Sequence, residues 1–198
     1  MTALLILLGL AVVVVFWGVG IYNGLVTARN AYKNAFAQID VQLQRRFDLI
    51  PNLVETAKAY LAHERGTLEA VTSARSAAQS GLAAAKAAPG DPAAMAELSR
   101  SEAALEGALG RLLVTVEAYP DLKASQNMMQ LTEELSSTEN KVAFARQAFN
   151  DSVMAYNNRR EVFPASLVAN NFGFRQAALL EIPADQQAAV RAAPKVQF

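Results

Sequence analysis

Residues 35–71 read AFAQIDVQLQRRFDLIPNLVETAKAYLAHERGTLEAV, and the spacing of their apolar positions decides the fold class. Phe36, Ile39, Leu43, Phe47, Ile50, Leu53, Val54, Ala57, Tyr60, Leu61, Leu68 and Val71 recur three and four residues apart. That interval stacks side chains along one face of an α-helix. Asp40, Gln42, Gln44, Arg45, Asp48, Glu55, Lys58 and Arg65 lie between them as a solvated face. Strict two-residue alternation, the mark of a half-buried strand, does not occur here. Between residues 22 and 87 only Pro51 interrupts the pattern. Proline has no N–H to offer the Phe47 carbonyl, so a kink over residues 47–50, or a break, is expected.

Downstream, AAPGDP (residues 87–92) is the clearest turn in the chain. Asp91 and Pro92 read as N-cap and first residue of the next helix, whose buried stripe is Met95, Leu98, Leu105, Leu109, Leu112, Val116 and Tyr119. The stripe stops at Tyr119-Pro120-Asp121. A third helix over residues 125–160 turns Met128, Leu131, Leu135, Val142, Ala145, Phe149, Val153 and Tyr156 inward, and Pro164 closes it. A short helical piece, the glycine-centred Asn171-Phe172-Gly173-Phe174, and a tail ending AAPKVQF complete the chain. Long helices joined by short turns fold most simply as an antiparallel bundle. The expectation is therefore all-α: an elongated bundle of three long helices plus short C-terminal helical pieces. If unbroken, the first helix would reach more than roughly 60 Å beyond residue 24, at about 1.5 Å per residue.

Upstream, no charged side chain precedes Arg29. Residues 4–21, LLILLGLAVVVVFWGVGI, are long enough to cross a hydrocarbon core of roughly 30 Å as a helix. Leu4, Leu8 and Val13 would face lipid, and the amphipathic rings of Trp17 and Tyr22 fall where the headgroups would lie. A cleaved signal peptide fits less well. It would need a basic leading region, a shorter apolar run and a small-residue cleavage site. The expected organisation is a transmembrane anchor over residues 1–24, a helical-bundle domain over 25–182 and a flexible tail over 183–198. Arg29 and Lys33 follow the span, so the positive-inside rule places a single-pass protein with its domain in the cytoplasm, the periplasm being the alternative. Gly20 and Gly24 have the spacing that lets two anchors approach, although at a membrane edge ordinary interfacial glycine is the simpler reading.

The chemistry-bearing residues are sparse. Eighteen basic side chains balance eighteen acidic ones, which gives no general attraction to nucleic acid. Cysteine is absent, so disulfide and thiolate chemistry are excluded. His63 is the single histidine. In His63-Glu64-Arg65-Gly66-Thr67 the second ligand of a zinc-protease helix is replaced by Thr67, and His63 reads as an exposed helix residue. No phosphate-binding glycine loop or nucleophile elbow is present. One histidine cannot furnish the paired Glu-x-x-His set of a di-iron bundle. Asp40, Arg45, Arg46 and Asp48 form a dense charged group just before Pro51 and are the candidate interaction cluster. A buried or partner-facing ion pair is one reading, snorkelling side chains on a solvated face the commoner one.

Several blocks carry a family resemblance. Tyr22-Asn23-Gly24-Leu25-Val26 with Arg29-Asn30, then AQIDVQLQRRFDLIPNLVE over residues 37–55, resemble the LemA family. So do Ala62-His63-Glu64, Thr72-Ser73-Ala74-Arg75, Glu134-Leu135 with Thr138-Glu139-Asn140, Ala145-Arg146, Tyr156-Asn157, Phe163-Pro164, Phe172-Gly173-Phe174 and the final Pro194-Lys195-Val196-Gln197-Phe198. The alanine-rich residues 77–87 depart from the pattern. The resemblance implies an N-terminal transmembrane helix and a bacterial helical-bundle domain, with no catalytic residues, cofactor or metal to carry over. It also implies links to organelle-membrane biogenesis and neighbours such as membrane proteases. The expectation is a non-enzymatic, self-associating scaffold or adaptor, with coiled-coil-like helix pairing and the lipid bilayer as partner. A membrane-shaping coat or cage is the second reading, and an enzyme using only carboxylates the third.

Overall fold

A computed structural model describes residues 1–61 and 63–181. The tail expected over residues 183–198 lies outside them. The described residues are helical and contain no strand. In chain order the helices are α1 (Thr2–Lys58), α2 (Arg65–Ala87), α3 (Pro92–Glu117), α4 (Pro120–Lys123), α5 (Gln126–Glu161) and α6 (Ala165–Asn171). The all-α bundle expected from the apolar spacing is correct. Its helix count is not, because the expected first helix is two.

The chain does not break at Pro51, which lies inside α1. The reversal comes eight residues later, where Ala59 caps α1 and Leu61, fully buried, pins the turn before Arg65 opens α2. Tertiary packing supplies the reason for both facts. Arg75 of α2 donates from Nε to the Phe47 carbonyl at 2.7 Å, the acceptor that Pro51 leaves without its helical donor. The stripe of α2, meanwhile, is covered only if the chain doubles back, which places Leu68, Val71, Ala78 and Leu82 in the common core. Folded this way, α1 reaches roughly 55 Å from Tyr22 to Lys58 at 1.5 Å per residue.

Replacing Arg75 with methionine should leave the Phe47 carbonyl unpaired and cost about 1–3 kcal/mol of unfolding free energy. In a Pro51→Ala background the restored N–H takes that carbonyl, so the cost of Arg75→Met should shrink there. Equal losses in both backgrounds, by urea denaturation of the detergent-solubilised protein, would show that Arg75 does not act through this carbonyl.

The four long helices run up, down, up and down. Lys86 of α2 pairs with Asp40 of α1 and Arg75 with residue 47, so α2 descends along α1. The α2–α3 turn carries Gly90 at φ +85, a conformation that favours glycine. A Cβ there would sit 3.0 Å from the Ala177 Cβ and 3.2 Å from the Tyr32 ring. Asp91 caps α3 as expected, its side chain accepting from the Ala94 N–H at 3.0 Å. The alanine-rich end of α2 is its contact face with α3. Ala78, Gly81, Leu82 and Ala85 are buried, and a Cβ on Gly81 would meet Ser101 Oγ at 2.5 Å and Leu98 Cα at 3.3 Å. Small side chains therefore bring these two helices together.

α5 descends along α1. Phe149 sits edge-on to Tyr32 and Phe36, with ring centroids 6.3 and 5.6 Å apart, and Tyr156 lies 5.1 Å from Tyr32. Ile39, Leu43, Phe47, Ile50 and Leu53 share the buried face of α1. On α5 Met128, Leu135, Phe149, Val153 and Tyr156 are buried, while Leu131, Val142 and Ala145 are partly so.

Candidate functional site

Leu4, Leu8, Val13 and Trp17 are 71%, 63%, 64% and 57% exposed, so this stretch of α1 is no core helix of the bundle. Its length and apolar composition suffice to cross a bilayer, and it is the only such helix among the described residues. Tyr22, less exposed, stacks its ring edge-on against Phe172 and Phe174 at 5.2 and 5.4 Å. Gly24 is occupied within the chain, since a Cβ there would lie 2.5 Å from an Arg159 nitrogen. Gly20 has open space around it.

The charged group before Pro51 does not act as one cluster. On a helix of 3.6 residues per turn Asp40, Arg45, Arg46 and Asp48 point in four directions. Arg45 and Asp48 are exposed. Asp40, half-buried, pairs through Oδ2 with Lys86 Nζ at 2.7 Å and joins α1 to α2. Arg46 is 5% exposed and its Nη1 donates to Glu102 Oε2 of α3 at 3.2 Å. Glu139 of α5 stands 3.9 Å from Arg46 Nη2, so one guanidinium links three helices. The commoner reading, a snorkelling side chain, fails for Arg46 because the margin of its stripe is covered by α3 and α5.

Glu102 was not singled out in the sequence, although a signal exists. It stands four residues after Leu98 and three before Leu105, a carboxylate at a stripe position. Burial raises the Glu102 carboxyl from its ordinary 4.5 to about 7, with the Arg46 guanidinium pulling downward and Glu106 adding to the rise. Arg46 Nε and Glu102 Oε1 are buried without a protein partner. The pair is thus under tension: attraction favours two charges, desolvation opposes them.

A second feature that the sequence did not announce is the segment after α6. Gly173, at φ +70, turns the chain into an extended strap that buries Phe174, Ala177 and Leu180. Asn157 of α5 holds Ala177 twice, donating to its carbonyl at 2.8 Å and accepting its N–H at 3.0 Å. Asn150 does the same for Leu180, at 3.2 and 2.9 Å. Seven residues of helix rise about 10.5 Å, close to the roughly 9–10 Å that three extended residues span, so both clamps close at once. Arg160 Nε and Tyr156 O–H donate to the Phe174 and Arg175 carbonyls at 2.8 Å each, and the Ala178 N–H to Gly90 O at 2.8 Å. Burial raises the Tyr156 phenol above its ordinary value of 10.0.

Catalytic geometry is thin. His63 is exposed in the α1–α2 turn, a correction to the helical position expected for it. Among the described residues no group of three or more His, Asp or Glu is placed to hold a metal ion. An open groove between α1 and α5 is lined by Leu49, Asn52, Glu55, Thr56, Asn127, Gln130, Leu131 and Glu134. Glu55 there is paired with the exposed Lys58 at 3.3 Å.

The chain is similar to the magnetosome protein MamQ of Magnetospirillum gryphiswaldense, 25% identical over 173 residues, covering 78% of this chain and 62% of that protein. Magnetosome protein MamQ 2 of Paramagnetospirillum magneticum is 25% identical over 174 residues, covering 79% of this chain and 63% of its own length. Protein LemA of Metamycoplasma hominis is 26% identical over 163 residues, covering 82% and 70%. The chain therefore spans less than two thirds of the length of the MamQ relatives. The LemA family profile matches residues 35–198, beginning within α1 and taking in every other helix of the bundle. On a match of that extent, the chain belongs to the LemA family.

Proposed function

We propose that this protein is a membrane-anchored, non-enzymatic scaffold or adaptor that self-associates and holds other membrane proteins, a membrane protease among them, at a fixed distance from the bilayer. The supporting observation is α1, one helix from the exposed apolar run at Thr2 to the bundle core at Lys58. A bundle joined to its anchor by continuous helix cannot swing freely, and rigid presentation is what a scaffold needs. Val41, Val114 and Met154, exposed on three of the long helices, supply apolar surface for association. Arg29 and Lys33, which follow the apolar run, support a cytoplasmic domain, with the periplasm as the alternative. Light scattering on the detergent-solubilised full chain should give a mass above one copy. A strictly monomeric protein would remove self-association.

Relatives named as magnetosome proteins favour a second reading, in which anchored bundles assemble into a coat that shapes the bilayer. Liposomes reconstituted at high protein density should then show curved or patterned membranes. Flat, unordered membranes count against it. A carboxylate-only enzyme at Glu55 and Glu134 would work in an open groove, where water is not excluded.

A further inference from the structure

We propose that the end of α5 and the whole of α6 form a second membrane contact, a foot that enters the headgroup layer beside the anchor. This rests on the reading of residues 4–21 as membrane-spanning. The bundle's lower end is uneven. The α2–α3 turn stops with Gly90 beside Tyr32, ten residues or roughly 15 Å along α1 from Tyr22. α5 continues further, with Arg159 against Gly24. α5 ends at Glu161 with the extended Val162 as its cap, so Val162 and Phe163 leave the helix just past Arg159, on the side toward the anchor. Phe172, at the other end of α6, stacks on Tyr22 itself.

Residues at that level would be expected to be polar if water surrounded them. Instead Val162, Phe163, Leu167 and Phe172 are 56%, 79%, 57% and 67% exposed. Four large apolar side chains at the exit of an apolar span continue the surface that faces lipid. The charges beside them suit phosphates. Arg29 lies over the Phe174 ring at 5.1 Å, Arg159 and Arg175 are exposed, and Glu161 is engaged by Arg160 at 3.8 Å. The occupant of this surface is a lipid headgroup and upper acyl layer. The strap clamped by Asn150 and Asn157 fixes Phe174 behind Tyr22 and Phe172 and so holds the foot against α1.

Because the chain has no cysteine, single substitutions carry a fluorophore without further engineering. V13C reports the anchor, F163C and F172C the foot, and F144C an equally exposed phenylalanine halfway along α5. The labelled full chain is reconstituted in phosphatidylcholine and phosphatidylglycerol vesicles and quenched by spin-labelled lipid or by aqueous iodide. The expected result is strong lipid quenching of V13C, and lipid quenching of F163C and F172C at least twofold above F144C, with the order reversed for iodide. F163C and F172C behaving like F144C while V13C is lipid-quenched would overturn the foot alone. Iodide quenching of all four would overturn the anchor with it. Shielding of F163C from both quenchers would mean that protein covers the surface, which also refutes the proposal.

Discussion

Replacing Arg46 with methionine is expected to lower stability by about 3–5 kcal/mol at pH 8, the usual cost of stranding one partner of a buried ion pair. The substitution removes the influence that pulls the Glu102 carboxyl downward and leaves burial and Glu106, both of which push it up. The pH dependence has a definite sign. Between the unfolded value of 4.5 and the folded value of about 7, the native state binds more protons than the unfolded chain. Glu102 therefore makes the folded state less stable as pH rises through that window, and its penalty is relieved below it. In Arg46→Met the window extends upward, so the loss should be smaller at pH 5 than at pH 8. Glu102→Gln should flatten the wild-type slope over the same range. Pairing Arg46→Met with Glu102→Leu should recover most of the loss, because two apolar side chains satisfy the site as well as an ion pair. Urea denaturation at the two pH values measures all four proteins. A single mutant no less stable than the double would show that the pair is not the element under strain.

Leu43→Ala should cost about 2–5 kcal/mol, the range for deleting a buried leucine side chain. Leu43 is 1% exposed, on the face of α1 shared with Ile39 and Phe47. Arg45, two residues on and exposed, makes the contrast. Arg45→Ala should leave stability within about 0.5 kcal/mol. Should it nonetheless weaken association, Arg45 belongs to a contact surface. Equal thermal midpoints for Leu43→Ala and the wild type would overturn the assignment of this face to the core.

Helical structure and most of the buried faces were legible from residues alone, although Tyr60 of the first stripe lies past the end of α1 and is 46% exposed. Apolar side chains at three- and four-residue spacing have no other way of being covered, and Asp91-Pro92 starts a helix by local bonding that needs no partner. The uncharged run before Arg29 is readable for the same reason: its solvent is dictated by composition. The sequence did not disclose where the first stripe would fold back. Local propensity flagged Pro51, whose defect lies in one missing donor, but the donor arrived from Arg75, 28 residues away. The reversal at residues 59–64 follows from what α2 must bury, a property of the assembled bundle. The same limit governs the charges. Arg46 and Arg45 are adjacent and chemically identical, and only the arrival of α3 and α5 over one of them makes it a buried ion-pair partner. The strap is the clearest case: nothing local distinguishes Asn150 and Asn157 from solvated amides until an extended chain lies alongside α5 at a matching rise. Helices are settled by contacts three or four residues apart, whereas the clamp, the ion pair and the foot depend on residues 20 or more positions apart in the chain.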